Sequence, residues 1–368
     1  MSGMLVNQIT HGNWDVTDFN GYDNKTKRLF FTSTEDSPLQ RKICSIKLNG
    51  KSKKDLSEKT GTNDAVFSKN FKYFINYYSN ANSPIYVSLH NSSGKFVREL
   101  KNNNALIAKI KEFGFSKKEF LTFTTSENVE LNAWMIKPLD FDENKKYPVF
   151  FTVYGGPGSQ TVVDSWDRNM AWYQLLAQNG YIVVSVDNRG TGARGADFKK
   201  ITYEQLGKFE TIDQIEFAKF LSAKPYIDSE RIGIFGWSYG GYMSTLCLTK
   251  GAEYFKMAIA VAPVTNWRFY DSIYTERYMG LPKDNSDGYD DNSPINHVEK
   301  MKGNFLLVHG TGDDNVHFQN SVELSSKLIE ANIQFDEQFY PNKNHGIYGG
   351  NTRLHLYTKM TDFILENL

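Results

Sequence analysis

Gly236-Trp237-Ser238-Tyr239-Gly240-Gly241 is the stretch that decides the fold, because glycines stand two residues to either side of a serine. An apolar run at 231–235 precedes it and predicts a strand, and the run at 242–248 predicts a helix. A serine at a sharp strand-to-helix turn needs small neighbours, since the turn crowds the backbone while it lifts the hydroxyl above the sheet edge. This context predicts that Ser238 is a nucleophile and not part of an ordinary structural turn.

Predicted strands alternate with predicted helices from residue 114 onward. The strands are short, nearly continuous apolar runs, which is typical of a parallel sheet covered by helices on both faces. With a serine at a strand-to-helix turn, this alternation predicts an α/β-hydrolase fold for residues 114–368. Strands are predicted at 148–154, 181–187, 231–236, 257–262, 304–309 and 334–340, and helices at 166–178, 205–223 and 321–331.

The first 113 residues have a different, β-rich pattern that repeats. Ser37-Pro38 recurs as Ser83-Pro84 after 46 residues, and Asn49-Gly50-Lys51 recurs as Ser93-Gly94-Lys95 after 44 residues. A period in the mid-forties that contains several strands is typical of β-propeller blades. Two unrelated β-meanders are the alternative, and the nearly constant spacing favours blades.

The sequence thus predicts a partial β-propeller of about two four-stranded blades at 1–113, followed by the hydrolase domain at 114–368. Propellers close with about four to eight blades. Two blades by themselves leave open sheet edges, which invite pairing with other strands. We therefore expect either that further blades precede this pair in a longer protein, or that the second domain or a partner shelters the edges.

Composition and charge narrow the classes of partner and cofactor. The 368 residues carry 42 Lys and Arg against 42 Asp and Glu, and a net charge of zero argues against a nucleic acid or an anionic membrane as partner. No apolar run reaches the roughly 18 residues that a membrane helix needs, and we expect no signal peptide at the start of this chain. Cys44 and Cys247 lack metal or redox spacing, so we expect two free thiols. The sequence has no His-Glu-x-x-His and no Cys-x-x-Cys pattern, so we expect no metal, and we expect no cofactor.

A base and an acid are expected after the serine, because a hydroxyl is a weak nucleophile without them. In α/β-hydrolases the acid and then the histidine follow the serine along the chain. Asp313 and Asp314 come directly after a predicted strand, at the sheet edge where ligands bind in such folds. His345, in a turn-rich loop after the next strand, is the best-placed base, since His317 is too near the acid and His355 lies in the final helix.

Two donors are expected for the oxyanion that forms when a serine attacks a carbonyl. One is the backbone N–H of Tyr239, directly after the nucleophile. The second must come from the loop after an earlier strand, and Val153-Tyr-Gly-Gly-Pro-Gly158 is such a loop. Its glycines let the backbone approach closely, and Tyr154 offers a phenolic O–H.

Gly190-Thr-Gly-Ala-Arg-Gly195 matches the glycine pattern of a dinucleotide-binding loop. Such a loop must open a helix within a strand–helix–strand unit. The residues from Ala196 onward give no helix start, so a flexible loop is the better interpretation.

Six motifs between residues 154 and 318 resemble the dipeptidyl peptidase IV branch of the prolyl oligopeptidase family of serine peptidases. The β-rich first part is similar to the last two blades of that family's eight-bladed propeller. The motifs are Tyr154-Gly-Gly-Pro-Gly-Ser-Gln160, Asp187-Asn-Arg-Gly-Thr-Gly192, Gly236-Trp-Ser-Tyr-Gly-Gly-Tyr242, Ala262-Pro-Val-Thr-Asn-Trp267, Tyr270-Asp-Ser-Ile-Tyr-Thr-Glu-Arg-Tyr-Met-Gly280 and His309-Gly-Thr-Gly-Asp-Asp-Asn-Val-His-Phe318.

The resemblance implies the role of each site residue. It gives Ser238, Asp313 and His345 as the triad, and Tyr154 as the side-chain oxyanion donor. Asn315 is similar to the residue that holds the carbonyl of the substrate's first residue. The pocket for the residue before the cleaved bond is implied to consist of apolar and aromatic side chains that suit a proline ring. They are Tyr239, Val264, Trp267, Tyr270, Tyr274 and Val316.

The resemblance also implies peptide substrates with proline at the second position, and release of N-terminal X-Pro or X-Ala dipeptides. Members of this branch hold the free amino terminus with a pair of Glu and an Arg from earlier blades, which this sequence does not span. We therefore expect a C-terminal fragment with reduced or absent exopeptidase action. By the same resemblance, a full-length parent is expected in the periplasm, the cell envelope or outside the cell, and as a homodimer.

Three alternatives stay open from the sequence. A general esterase or acyl hydrolase has the same fold, and a tripeptidyl peptidase has similar motifs. A non-catalytic interaction protein of the same family is the third, and the intact Ser238, Asp313 and His345 argue against it.

Overall fold

The computed structural model describes residues 3–368, which form sixteen strands, nine α-helices and three short 3-10 helices (Trp267–Phe269, Pro294–Asn296 and Val298–Lys300). The chain divides into two compact units. The first contains the chain up to Lys118 together with Val163–Ala171 and Ala193–Ala196. The second contains Glu119–Val162, Trp172–Gly192 and Asp197–Leu368. The domain boundary at 113/114 stays a prediction.

The first unit contains two antiparallel four-stranded sheets, as the blade repeat predicts. The second sheet begins at Thr62, 46 residues after the first begins at Val16. The strands of the first sheet are β1 (Val16–Asp23), β2 (Arg28–Ser33), β3 (Lys42–Lys47) and β4 (Lys54–Asp55). Those of the second are β5 (Thr62–Phe67), β6 (Tyr73–Asn80), β7 (Ser83–Asn91) and β8 (Phe96–Lys101), and helix α1 (Asn104–Glu112) follows them.

Aromatic side chains supply much of the core of this unit. Phe30 of β2, Ile43 of β3 and Phe74 of β6 are buried in one cluster that draws on both sheets. The rings of Phe30 and Phe71 stack with centroids 5.3 Å apart. Burying a side chain of this size stabilises a fold by about 1.5–3 kcal/mol, so the two sheets hold each other through these residues.

The second unit is built on an eight-stranded sheet with the order β16-β15-β14-β13-β11-β12-β10-β9. Strand β12 pairs parallel with β11, the strands from β11 through β13 to β16 are parallel, and β10 pairs antiparallel with β12. The strands are β9 (Lys118–Thr124), β10 (Glu130–Ile136), β11 (Tyr147–Val153), β12 (Ile182–Val186), β13 (Ile227–Trp237), β14 (Met257–Val261), β15 (Asn304–Gly310) and β16 (Asp336–Tyr340).

Helices join the strands of this sheet, and every residue of β12 and β14 is buried. Burial on both faces explains the continuous apolar runs in the sequence. The helices are α2 (Met170–Gln178), α3 (Ala196–Lys200), α4 (Lys208–Ser222), α5 (Tyr239–Lys250), α6 (Ser272–Met279), α7 (Ser286–Asp290), α8 (Gln319–Glu330) and α9 (Thr352–Asn367). No helix in residues 3–368 is long and apolar enough to cross a bilayer.

The predicted α/β-hydrolase fold with a partial propeller is confirmed, and the differences are local. Helix α2 begins at Met170 and not at 166, and β13 begins at Ile227 and not at 231. The prediction that no helix starts after Gly195 is wrong, because the five-residue helix α3 begins at Ala196. One turn of helix is too short to leave an apolar period in the sequence, which is why the pattern did not reveal it.

Candidate active site

Ser238 lies at the elbow between β13 and α5, with φ 61° and ψ −119°. Few residues other than glycine adopt this backbone conformation. A Cβ atom at Gly236 would lie 2.0 Å from the carbonyl oxygen of Gly240, and one at Gly240 would lie 2.2 Å from the carbonyl oxygen of Val153. Any side chain at either position would therefore break the turn, and the structure explains why the motif needs both glycines.

Asp313 and His345 form a hydrogen-bonded pair. His345 donates through Nδ1 to Oδ2 of Asp313 over 2.7 Å. The other carboxylate oxygen accepts the backbone N–H groups of Asn315 and Val316, each at 3.0 Å. Burial acts to raise the pKa of Asp313, but these bonds and one from His309 outweigh it and hold the pKa well below its usual range. Asp313 therefore stays ionised and fixes the orientation of the imidazole.

The loop of His345 is tied to the elbow of Ser238. The indole Nε1–H of Trp237 donates to the backbone carbonyl of His345 over 3.0 Å. Ser238, Asp313 and His345 follow β13, β15 and β16, which are parallel, so all three lie at one edge of the sheet. Asp314 is exposed and has no part in this pairing, whereas Asp313 is buried.

His309 is a further member of this group that the sequence pattern did not reveal. Its Nε2 lies 3.2 Å from Oδ2 of Asp313 and 2.9 Å from the carbonyl oxygen of Val316. Both neighbours are acceptors, so Nε2 carries a hydrogen, and Nδ1 accepts from the hydroxyl of Ser321 at 2.7 Å. The only signal in the sequence was its place four residues before the acid.

The loop after β11 carries Tyr154, whose side chain is 39% exposed. Burial of the rest of the ring raises its pKa, so the phenol keeps the proton that an oxyanion donor needs. The next residue, Gly155, has φ 77° and accepts a hydrogen bond from Nδ2 of Asn188 at 3.0 Å. Gln214 of α4 donates in turn to Oδ1 of Asn188 over 3.1 Å. No local pattern in the sequence indicates this support from Asn188 and Gln214.

The predicted aromatic pocket residues lie around Trp267. The ring of Trp267 has its centroid 5.4 Å from that of Tyr239, 5.9 Å from Tyr270 and 5.8 Å from Tyr274. The hydroxyl of Tyr270 donates to Oδ1 of Asn315 over 2.7 Å, which links the aromatic group to the acid loop. Val264 and Val316 are buried in the same core cluster as these rings.

Glu210 of α4 is the second residue that the sequence pattern did not reveal. Its Oε1 accepts from the hydroxyl of Tyr239 at 2.7 Å, and its side chain is fully buried. A glutamate three residues after Gly207 has the spacing of a helix capping box, and that spacing was the available signal. It does not reveal the contact with Tyr239, which is 29 residues away in the sequence.

One group of side chains elsewhere has the composition of a metal site. Glu35, Cys44 and Asp55 lie close together in the first unit. Lys53 already pairs with Glu35, and Lys42 lies 3.3 Å from Asp55. Burial raises the pKa of Cys44 to about 12, which disfavours the thiolate that a metal needs. The chemistry of this group therefore argues for ion pairing.

Two known protein families match most of the chain. Residues 167–368 match the Prolyl oligopeptidase family, and residues 1–85 match the Dipeptidyl peptidase IV (DPP IV) N-terminal region. The chain belongs to the prolyl oligopeptidase family. The match to the second region places it in the dipeptidyl peptidase IV branch, and the predicted resemblance is confirmed.

Similar members of the prolyl oligopeptidase family are found among curated proteins and solved structures. A probable dipeptidyl-aminopeptidase B of Arthroderma otae is 41% identical over 97% of this chain and 40% of its own length. The crystal structure of Porphyromonas gingivalis dipeptidyl peptidase 4 superposes with a TM-score of 0.96 and 48% identity, over all of this chain and 52% of its own. The crystal structure of a putative dipeptidyl aminopeptidase IV from Bacteroides ovatus superposes with a TM-score of 0.90 and 32% identity, over 98% of this chain and 51% of its own. The chain thus spans about two fifths of the curated relatives and half of the solved structures.

Proposed function

We propose that this chain carries the catalytic centre of a serine peptidase that releases N-terminal X-Pro or X-Ala dipeptides. The observation that supports this most strongly is the Asp313–His345 pair, whose loop is hydrogen-bonded to the elbow that carries Ser238. An elbow serine at the same sheet edge as a histidine that is held by an ionised acid is the arrangement that acyl transfer needs. The names of the relatives indicate which acyl group is transferred.

In the proposed reaction, Oγ of Ser238 attacks the carbonyl carbon before the cleaved bond, and Nε2 of His345 takes the hydroxyl proton. The negative oxygen accepts hydrogen bonds from the backbone N–H of Tyr239 and the phenol of Tyr154. The tetrahedral intermediate collapses as His345 gives its proton to the leaving amine. Water then attacks the acyl-enzyme by the same route, releases the dipeptide and restores Ser238. Each oxyanion donor of this kind typically contributes about 3 kcal/mol to the transition state.

The aromatic group around Trp267 supports the preference for proline. Flat rings at centroid distances of 5.4–5.9 Å leave a compact apolar wall on which a pyrrolidine ring packs well. Asn315, held by Tyr270, offers an amide that recognises a carbonyl of the preceding residue. A general esterase has no need of such a wall beside its serine.

We further propose that this chain by itself turns over dipeptide amides weakly. The relatives are about twice as long or longer, and the resemblance places the binding groups for the free amino terminus on propeller blades that this chain does not span. Binding energy from that terminus positions the scissile bond, so its loss lowers turnover as well as affinity.

The test uses two measurements on the same preparation. A fluorophosphonate probe should label wild-type protein and the Ser272→Ala control, in which an exposed serine of α6 is removed, but not Ser238→Ala. A Gly-Pro nitroanilide should then be cleaved slowly or not at all. Absence of Ser238-dependent labelling would refute the catalytic centre. Labelling with fast turnover would refute only the need for further segments, and labelling with equal rates on apolar esters of any shape would favour a general esterase.

A further inference from the structure

Glu210 is a buried acid that holds the residue next to the proposed nucleophile. It lies in the first turn of α4 and its side chain is 0% exposed. Oε1 accepts from the hydroxyl of Tyr239 at 2.7 Å, and Oε2 accepts from the backbone N–H of Gly207 at 3.0 Å. Both carboxylate oxygens are therefore used, one by the residue directly before its own helix and one by α5.

Tyr239 has two roles in the proposed centre, and one bond controls both. Its backbone N–H faces the oxyanion, and its ring packs between Trp267, at 5.4 Å, and Tyr154, at 6.0 Å. A rotation of the ring would move the pocket wall and strain the peptide that follows Ser238. The hydroxyl is the polar atom at the far end of that ring, and Glu210 receives its hydrogen.

The start of α4 holds the beginning of α5 at a second point. The hydroxyl of Tyr242, one turn after Tyr239, donates to the backbone carbonyl of Leu206 over 2.8 Å. A Cβ atom at Gly207 would lie 2.0 Å from that hydroxyl, so only glycine allows this approach. The two tyrosines and the turn before α4 thus form one rigid joint beneath the serine.

Burying the carboxyl group of Glu210 away from any cation costs free energy, which indicates that this residue does more than fill space in the core. The titratable groups that face it are Tyr239 and Tyr242 of α5, Tyr274 of α6 and Asp213 of its own helix. None of these is a cation, and Asp213 is paired with Arg189. Burial is the main cause that raises the pKa of Glu210 to about 7. An apolar residue of equal volume would avoid that cost.

We propose that Glu210 is a positioning residue that, through the Tyr239 hydroxyl, sets both the wall of the proline pocket and the oxyanion N–H beside Ser238. This inference rests on the proposed function. It predicts that breaking the bond from either side lowers acylation and the preference for proline together, whereas a purely structural role would lower only the fraction of folded protein.

The test compares Glu210→Leu, which removes both carboxylate oxygens, Tyr239→Phe and the double variant with Thr211→Val. The last is the matched control, because the buried Thr211 hydroxyl, on the same turn of α4, has no hydrogen-bond partner among the described residues. A fluorophosphonate titration counts competent serines in each preparation. Nitrophenyl esters of N-acetyl-proline and N-acetyl-alanine then give kcat and KM per titrated serine, without need of the amino-terminal binding groups.

Each single variant should lower kcat per titrated serine by about tenfold and reduce the prolyl preference, because a hydrogen bond to a charged group and the placement it fixes are lost. The double variant should fall no further than the worse single one, since both remove one interaction. Thr211→Val should match wild type. If Glu210→Leu does not fold, Tyr239→Phe, which removes one oxygen, decides alone.

If Tyr239→Phe keeps the wild-type kcat per titrated serine and the wild-type preference for proline, the inference is wrong, and the proposed function still stands. Full additivity in the double variant would overturn it as well. A wild-type protein whose Ser238 does not react with the probe would instead refute the proposed function, and the inference would fall with it.

Discussion

Nε2 of His309 lies 3.2 Å from Oδ2 of Asp313, and both side chains are buried. The same oxygen accepts the Nδ1–H of His345 at 2.7 Å. His309 therefore lies on the side of the acid away from the solvent, where it supplies a hydrogen bond that water cannot. Through this contact a fully buried residue fixes the direction of the carboxylate that orients His345.

Replacing His309 with Phe should slow fluorophosphonate labelling of Ser238 by about tenfold or more, because the acid loses a buried donor and its orientation. The phenyl ring keeps the volume of the site, so the melting temperature should change little while the labelling rate falls. Labelling rates measured at equal protein concentration, alongside thermal unfolding, check this.

His317→Gln is the control for that experiment, since His317 lies in the same loop and is exposed. It should label at the wild-type rate. A His309→Phe variant that labels as fast as His317→Gln would show that Asp313 keeps its orientation without the buried histidine.

The strained backbone conformation of Ser238 leads to a second prediction, on stability. Its φ of 61° and ψ of −119° cost a non-glycine residue about 1–3 kcal/mol. Ser238→Gly should therefore raise the free energy of unfolding by about 1 kcal/mol, after the greater chain entropy of glycine is allowed for. Ser238→Ala keeps a Cβ atom and should not gain in the same way. Urea unfolding of the two variants compares them, and a Gly variant no more stable than the Ala variant would contradict the claim of strain.

Local pattern was sufficient to predict the elbow, the parallel sheet and the blades. The apolar run that becomes β12 is buried at every residue, so its composition reports its environment directly. Ser238 carries its own context, with a strand before it and a helix after it. Asp313 and His345 could be chosen because each directly follows a predicted strand or its loop, and parallel strands end at one edge.

The supporting residues could not be predicted, because their partners are set by tertiary packing. Glu210 and Tyr239 are 29 residues apart on different helices, and no local period connects them. Asn188 supports the loop of Tyr154 from a neighbouring strand end. A polar residue in a sequence is usually solvated, and only the fold shows that these are buried.

Arg189 provides a third prediction, on stability. Its side chain is 3% exposed and donates through Nε and Nη2 to both oxygens of the fully buried Asp213, at 2.7–3.1 Å. Arg189→Met would leave that carboxylate buried without a cation, which typically costs about 3–5 kcal/mol. Urea unfolding monitored by tryptophan fluorescence measures the loss.

The matched control is Arg231→Met, because Arg231 pairs with Asp228 at 2.7 Å while 46% of its side chain is exposed. Such a pair contributes at most about 1 kcal/mol. The double change of Arg189→Met with Asp213→Leu should recover part of the loss, since it removes both charges. Equal losses for Arg189→Met and Arg231→Met would show that burial does not set the energy of these pairs.

The acid of Glu210 gives the last prediction, on how stability depends on pH. Burial raises its pKa from 4.5 to about 7 in the folded protein. Between these two values the folded state binds more protons than the unfolded state, so this group lowers the free energy of unfolding as pH rises. Below pH 4.5 the effect is absent, and above pH 7 it is complete at about 3 kcal/mol.

The Glu210→Gln variant has no proton to lose at this position. The free energy of unfolding of the variant minus that of wild type should therefore be larger at pH 8 than at pH 5. Other groups titrate alike in both proteins and cancel in the difference. Urea unfolding at the two pH values measures it, and Glu366→Gln, on the exposed side of α9, should show no such gain. If the difference between Glu210→Gln and wild type is the same at pH 5 and pH 8, the carboxyl group does not change its protonation on folding, and the proposed cost of burying it is wrong.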